Sequence, residues 1–567
     1  MKQANHCISY WMLFVGLLIA SCHSNNTNQN SPQPDIIDAD TDTSDTEPTQ
    51  DISDPWAAWY ETDPQGRITE NNQLNTPPEM LIISDDELAS AWTSYARLRT
   101  LDGHITTVVR FSDISEQFVG RDDAEKLRNF LLDQYQRGTV RFVLLGGDVG
   151  RVPFRRVENY IYIPGQGEEY TANGPSESYF ANIETNWDTD GDGIFGEKNQ
   201  DLALDQLRQS QLAVGRVSAD TVQEVQHYTQ KVLVYRTNIA GFGTRSLLMS
   251  DVASTLPLIG DVDAAEGIES TFSAFFPQTF KNQVQKLYAT PSACAMYGAQ
   301  QANPDAIRRA MESGVSLIFH NGHGSHRWMT NEIDRNFVEE LQNEIPAVFA
   351  SCSCLSGNFA DVTSTASSPW QVQSPDNDTA GERYILSAHG GVAYIGNTGT
   401  GLGPMGGSQF LHAFFEGMFV QALPTLGEIF NYARLHMRTI PYSLSILPSI
   451  MTDDSEWWTH HVLILLGDPS LSPWTQDPLS LQIEAPSHYG PGYQTLTIRV
   501  SQMGGVSRSG VRVTLLKEND FLLTAETNAS GEATFSFIPR GPGDIHVGAS
   551  MPNFTFSTVV IASRAGK

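Results

Sequence analysis

The chain has 567 residues, with 35 Lys+Arg against 65 Asp+Glu for a formal charge of -30. Hydrophobic residues make up 40% of it and charged residues 18%, a globular composition large enough for two or three domains and too apolar for a wholly disordered chain. So acidic a chain gains nothing from counterion release, which argues against a nucleic-acid partner, and five cysteines are too few for a disulfide scaffold.

Lys2 precedes the apolar run Tyr10 to Ala20, which is short for a membrane span and has signal-peptide anatomy over residues 1–22. Leu18-Ile19-Ala20-Ser21-Cys22 resembles a bacterial lipobox, in which the thiol of Cys22 is acylated and becomes the new N-terminus. The plainer alternative is a secretory signal with an incidental cysteine. Lipidation would tether the protein to a lipid bilayer on the outside of the cytoplasm, and His23 in place of an aspartate points to the outer membrane of the cell envelope. Residues 23–76 read as a disordered acidic tether and lead-in: no Lys or Arg occurs between Lys2 and Arg67, and almost nothing apolar between Asn25 and Asp54.

Pro77 to Ser84 is a short apolar run opened by prolines, a buried-strand pattern, and Ile105 to Val109 is a second. Asp122 to Tyr135 puts Ala124, Leu127, Phe130 and Leu131 on one helical face. Val140 to Leu145 is the next strand, ending in the turn Gly146-Gly147-Asp148. Asp188, Asp190 and Asp192 then alternate, with Gly193 at the sixth position of a calcium-type loop and Ile194 where such loops offer a main-chain carbonyl. Position twelve is Asn199, so Glu197 has to substitute; the expected cofactor is a structural Ca2+, and the alternative is a solvated acidic turn. Leu212 to Val214 leads into a helix near Asp220 to Tyr235.

A second series opens at Ser246 to Ser250. Asn303-Pro304 caps a helix that Gly314 closes, and further strands follow at Val315–His320, Pro346–Ala350, Gly391–Ile395 and Val462–Leu466. Short buried strands alternating with helices predict an α/β domain with a mainly parallel sheet. Two series predict two sheets or subdomains, 77–240 and 241–475. After Trp474 the runs Thr495–Val500, Val511–Leu516, Ala533–Phe537 and Ile545–Val547 alternate between turn residues, which predicts a small all-β sandwich over 476–567.

Two strand ends carry reactive residues. One is Phe319-His320-Asn321-Gly322-His323-Gly324-Ser325-His326; the other is Ser351-Cys352-Ser353-Cys354-Leu355-Ser356-Gly357-Asn358-Phe359. A cysteine nucleophile needs a lowered pKa or a nearby base, which a histidine on the adjacent strand end supplies, and backbone amides around Gly322 and Gly324 suit an acyl oxyanion. The plain alternative is two buried thiols and polar turn histidines. A zinc cluster of His320, His323 and His326 is disfavoured, because i, i+3, i+6 spacing does not put three side chains on one face of a strand.

Together with Val143-Leu-Leu-Gly-Gly-Asp148, Val152-Pro153, Val214-Gly-Arg216 and Gly467-Asp-Pro-Ser-Leu471, these turns resemble the gingipain-type cysteine peptidases, relatives of caspases in fold. The resemblance runs from Pro77 to Pro473. It implies a three-layer caspase/gingipain-like α/β domain with two subdomains, followed by an immunoglobulin-like sandwich. It makes His323 the general base and Cys354 the nucleophile, beside the Gly324 amide as candidate oxyanion donor; Cys352 is the weaker nucleophile, because Gly357 and Phe359 keep the family spacing only from Cys354. The family often has an acidic residue near the end of the strand preceding the His-bearing one, for which Asp251 is the nearest candidate, with Asp261 and Asp263 further along. Asn397, Thr398 and Gly399 fall in the wall of the primary specificity pocket. Cys294 is either a small core residue or a disulfide partner for Cys352. The resulting expectation is a lipid-anchored cysteine endopeptidase acting on protein or peptide substrates, the alternative an inactive peptidase-like surface or adhesion module.

Overall fold

The structure, a computed structural model, describes residues 76–162, 169–237, 241–256, 260–360, 378–438 and 451–564; the lipobox with Cys22 and nearly all of the tether lie outside the described residues. Eleven strands form one sheet: β1 (Met80–Ser84), β2 (Thr106–Arg110), β3 (Phe142–Gly146), β4 (Ala213–Val217), β5 (Ser246–Ser250), β6 (Val284–Tyr288), β7 (Gln300–Gln301), β8 (Leu317–Asn321), β9 (Ala347–Ser351), β10 (Gly391–Asn397) and β11 (Leu463–Gly467). Their order is β7-β6-β5-β8-β9-β10-β11-β4-β3-β1-β2. Every residue of β1, β3, β4, β5, β8, β9, β10 and β11 is buried, which is why these strands read as unbroken apolar runs; helices cover both faces.

The expectation of two sheets is corrected by β11. It pairs antiparallel with β10 through Ala393–Gly467 to Asn397–Leu463, and parallel with β4 at Leu466 and Arg216. All other neighbours in the sheet are parallel. One continuous sheet therefore holds two parallel halves running in opposite directions, with their carboxyl ends on opposite sides. The return of the last strand of the α/β region into the middle of the sheet merges the two series.

Two of the sequence motifs belong to this joint. A Cβ on Gly215 would lie 2.2 Å from the Gly467 carbonyl oxygen, so only glycine lets β4 and β11 approach as they do. Arg216 is fully buried, donates to the carbonyls of Gly147 (2.8 Å) and Pro153 (3.0 Å), and pairs with Glu177 at 2.5 Å. Asp468 is also fully buried, accepting from Tyr95 Oη at 2.6 Å and forming an ion pair with Arg99 (Nε to Oδ2 2.8 Å), both on the helix Ala89–Leu101. Such fully paired buried charges fix one arrangement of the halves, and loss of one partner strands the other, at a cost of about 3–5 kcal/mol.

Beyond Trp474 two five-stranded sheets pack around Leu496, Ile498, Val513, Phe535, Phe537 and Val547, forming the immunoglobulin-like sandwich. It meets the N-terminal half through Arg512 to Glu79 (2.8 Å) and Arg97 to Glu518 (3.0 Å).

Candidate active site

His320 of β8 lies opposite Ser351 of β9, so the turns that follow these strands emerge side by side. They touch at Gly324, where a Cβ would lie 2.4 Å from Ser353 Cβ and 2.8 Å from the Cys354 carbonyl oxygen; a side chain there would push the histidine turn off the cysteine turn. The structure thus brings together His323, Gly324 and Cys354 at the carboxyl ends of adjacent strands.

His323 is buried to 9% exposure, and its Nε2 lies 3.2 Å from the carbonyl oxygen of Ala253. An Nε2–H donated to that carbonyl leaves the lone pair on Nδ1. Asp251 does not address the imidazole. Its Oδ2 accepts the main-chain N–H of His323 at 3.0 Å and lies 3.2 Å from Nε2 of His320. The other acidic candidates are engaged elsewhere: Asp263 accepts from Ser250 and from the amides of Ala265 and Thr290, and Asp261 accepts from Thr255 at 2.7 Å.

The two cysteines of the second turn are in different situations. Cys352 is 3% exposed and donates to Asn321 Oδ1 at 2.7 Å, and burial pushes its thiol up to about 12, so it stays protonated. Cys354 Sγ lies 3.7 Å from the Gly401 carbonyl oxygen, across from the pocket segment. Leu355, next along, has φ +56°, a left-handed conformation that strains a side chain of its size. Its N–H donates to Gly399 O at 2.8 Å, and the amide of Gly357 donates to Asn397 O at 3.0 Å, which pins the turn against the end of β10. Cys294 and Cys352 remain thiols, with no disulfide between them.

Asn397 and Thr398 are buried and structurally committed: Asn397 Nδ2 donates to Ser353 O at 3.0 Å and Thr398 Oγ1 to Pro175 O at 2.8 Å. Gly399 is half-buried, and the next carbonyl, that of Thr400, accepts from Trp458 Nε1 at 2.7 Å. Trp458 belongs to the helix Asp453–Val462 and was not singled out by sequence. Nor was the chain of hydroxyls under the cysteine turn formed by Ser351, Ser353, Ser356 and Tyr394, because buried serines carry no pattern of their own. The three histidines do not converge: the ring nitrogens of His320 face Ser351 and Asp251, His323 faces Ala253, and burial with Arg335 and Arg327 nearby pushes His326 down to about 4.

In the acidic loop, carboxylate oxygens of Asp188, Asp190 and Asp201 lie within 4.8 Å of one another, as do those of Asp190, Asp192 and Glu197. Asp201 falls outside the twelve-residue frame and was missed. Asp188 pairs with Arg121 through one oxygen; its Oδ1 and Glu197 Oε2 are buried with no hydrogen-bond partner. Burial, with the carboxylates of Asp192, Glu158, Asp201 and Asp190, holds Glu197 above the usual carboxylate range. Ile194 donates its amide to Asp192 Oδ1 at 2.8 Å, closing the loop.

The sequence profile of peptidase family C25 matches residues 73–474. No curated protein matches the sequence. Among solved structures, the chain is similar to the Arg-specific cysteine proteinase gingipain R (RgpB), at 17% identity and TM-score 0.60, over 88% of this chain and 99% of that one. It is also similar to the complex of the Porphyromonas gingivalis RgpB pro- and mature domains, at 18% identity and TM-score 0.57, over 86% of this chain and 100% of that one.

Proposed function

The chain belongs to peptidase family C25, a family of cysteine peptidases, and from that premise we propose that it is an endopeptidase in which Cys354 is the nucleophile and His323 its base. The observation that carries this reading is the contact of the two turns at Gly324, with the Cys354 thiol facing the Gly401 carbonyl across from the pocket segment and that of Cys352 tied to Asn321. With Nε2–H donated to Ala253 O, Nδ1 of His323 takes the proton of Cys354. The thiolate adds to the scissile carbonyl carbon, and the carbonyl electron pair moves to an oxyanion held by the amide of Gly324. The imidazolium returns its proton to the departing amine as the C–N bond breaks, leaving a thioester. Water then attacks with His323 again as base, releasing the acid and the thiol. Asp251 serves as the third member by anchoring the main chain of His323 rather than its ring. Asn397, Thr398 and Gly399 line the pocket for the residue preceding the cut, the first two as its frame.

The Asp188 to Asp201 loop suits a calcium ion. The donors are hard oxygens, two carboxylate oxygens are buried without partners, and the repulsion felt by Glu197 is what a divalent cation relieves. Asp188, Asp190, Asp192, Glu197 and Asp201, with the carbonyl of Ile194, would hold it. Its contribution is structural, since Lys198 of this loop pairs with Asp454 and Arg208 with Glu456 on the helix that carries Trp458. The lipobox supports anchoring of the enzyme to the outer membrane through Cys22; Cys22→Ser protein recovered in the membrane fraction with acyl label would refute that.

The deciding experiment is a peptide-library screen with the purified protein, Cys354→Ala and Cys352→Ser. Hydrolysis should vanish in the first and largely persist in the second. Full loss in Cys352→Ser with intact thiol labelling of Cys354 overturns the assignment, and no cleavage by the wild-type protein favours the inactive adhesion module.

A further inference from the structure

His320 is fully buried in the middle of the sheet, where an apolar residue would be expected. Neighbours on both sides explain it. Nδ1 lies 2.8 Å from Ser351 Oγ on β9, and Nε2 lies 3.2 Å from Asp251 Oδ2, just past the end of β5. Its ring stands edge-on to Phe349, with centroids 6.4 Å apart and planes at 85°, so the imidazole is held in one orientation.

Each partner leads to a different turn. Asp251 Oδ2, the oxygen His320 addresses, also accepts the main-chain amide of His323 at 3.0 Å. Ser351 Oγ accepts the amide of Ser353 at 3.1 Å and contacts Ser353 Oγ at 2.5 Å. Ser353 lies between the two cysteines and continues to Tyr394 Oη at 3.3 Å; Ser356, on that same phenol at 2.6 Å, closes the group. His320, Asp251, Ser351, Ser353, Ser356 and Tyr394 are all buried. The hydrogen-bond inventory admits one self-consistent direction that ends on the carboxylate. Ser356 donates to Tyr394, Tyr394 to Ser353, Ser353 to Ser351, Ser351 to Nδ1 of His320, and Nε2–H of His320 to Asp251. Every link polarises the next toward the one charged acceptor, and no water is needed to complete it.

We propose that His320 is a positioning residue that couples the two catalytic turns, setting the height of His323 over Cys354 through Asp251 on one side and Ser351-Ser353 on the other. The proposal rests on the Cys354–His323 reading. His320 touches neither substrate nor thiol. It matters because a displacement of about 1 Å between reacting groups can cost about 100-fold in rate.

The test uses the full-length protein and a cleaved peptide from the library, with kcat and KM measured separately and the alkylation rate of Cys354 by iodoacetamide as an independent readout. His320→Phe fills the space and removes both bonds. It should lower kcat about 100-fold with KM within about twofold, and slow alkylation of Cys354. His320→Gln should recover most of both, because its amide oxygen and nitrogen are spaced much as the two ring nitrogens are, one accepting from Ser351 and the other donating to Asp251. Ser351→Ala cuts only the link to the cysteine turn and serves if the Phe variant does not fold; it should lower kcat about tenfold. Wild-type kcat in folded His320→Phe or in Ser351→Ala, or a Gln variant no better than Phe, overturns the proposal. Hydrolysis that survives Cys354→Ala overturns the Cys354–His323 reading instead, so the two failures are told apart.

Discussion

At the carboxyl end of β3, Asp148 sits among Asp220, Asp378 and Glu382, while nearby Arg151 reaches Asp85 at 2.5 Å, Glu87 at 2.9 Å and Asp220 at 3.3 Å. At the carboxyl ends of β8 and β9, on the opposite side of the same sheet, the groups are two thiols, the imidazoles of His320 and His323, four hydroxyls and one carboxylate, with His320, the hydroxyls and the carboxylate joined by hydrogen bonds. Both halves offer parallel strands, covering helices and turns projecting past the strand ends. The first half answers charge with charge. The second holds neutral polar groups dry and in line, which is what a cysteine nucleophile and its base require. Architecture supplied two such edges, and side-chain chemistry selected one of them.

That contrast can be broken most severely at His323, the proposed base. His323→Ala should lower kcat/KM by about two to four orders of magnitude. Asp85→Asn, at the opposite edge, should leave it within about twofold. Equal losses in steady-state assays of the two variants would erase the distinction between the edges. A smaller effect is expected from the acidic loop Asp188 to Asp201, the proposed calcium site, whose Lys198 pairs with Asp454 on the helix Asp453–Val462. A chelator should remove about 2.7 kcal/mol of stability if calcium was present at a hundredfold excess over its dissociation constant. The melting temperature should fall, while turnover per active site stays nearly unchanged at temperatures where the metal-free form is folded. An Asp190→Asn, Asp192→Asn variant that melts like the wild type and ignores chelators would refute the structural role.

The smallest effect sharpens the first half of the comparison. Burial, together with Asp220 and Asp378, pushes the Asp148 carboxyl up to about 7, although Arg216 offsets part of this. A folded-state value above the unfolded one means the native protein binds the extra proton. Stability is therefore lost as pH rises from about 4 through 7 and stays lower above that. Asp148→Asn should raise the melting temperature at pH 8 by the equivalent of about 1–2 kcal/mol, allowing for solvent screening, and change it little near pH 4. A melting profile for Asp148→Asn that parallels the wild type across this range would contradict the assignment.

The buried strands were legible because burial on both faces leaves an unbroken apolar run. Val284–Tyr288 and Gln300–Gln301 were not, because at this end of the sheet burial is incomplete: only Leu287 and Tyr288 of the first are buried, and both residues of the second are exposed. The single sheet was hidden for a different reason. Nothing local to Leu463–Gly467 records that it will pair with β4. At the site, the two adjoining turns could be read from their glycines and their places after strands, whereas the preference for Cys354 came from the family resemblance. The Ala253 carbonyl could not, since a main-chain acceptor has no sequence signature. His320 was weighed as a metal ligand, and only the register of β8 against β9 and Asp251 shows its hydrogen-bonding partners.

The placement of β11 also orders events during synthesis. Arg216 waits for Leu466, 250 residues later, before β4 gains its neighbour on that side. At about 5–20 residues per second, the first half emerges from the ribosome some 12–50 seconds before the strand that joins it to the second. The cysteine and histidine turns lie on strands made inside that interval, yet the frame that holds them is closed only when β11 is inserted. A truncated or stalled chain that ends before residue 463 therefore carries both reactive residues without the assembled sheet.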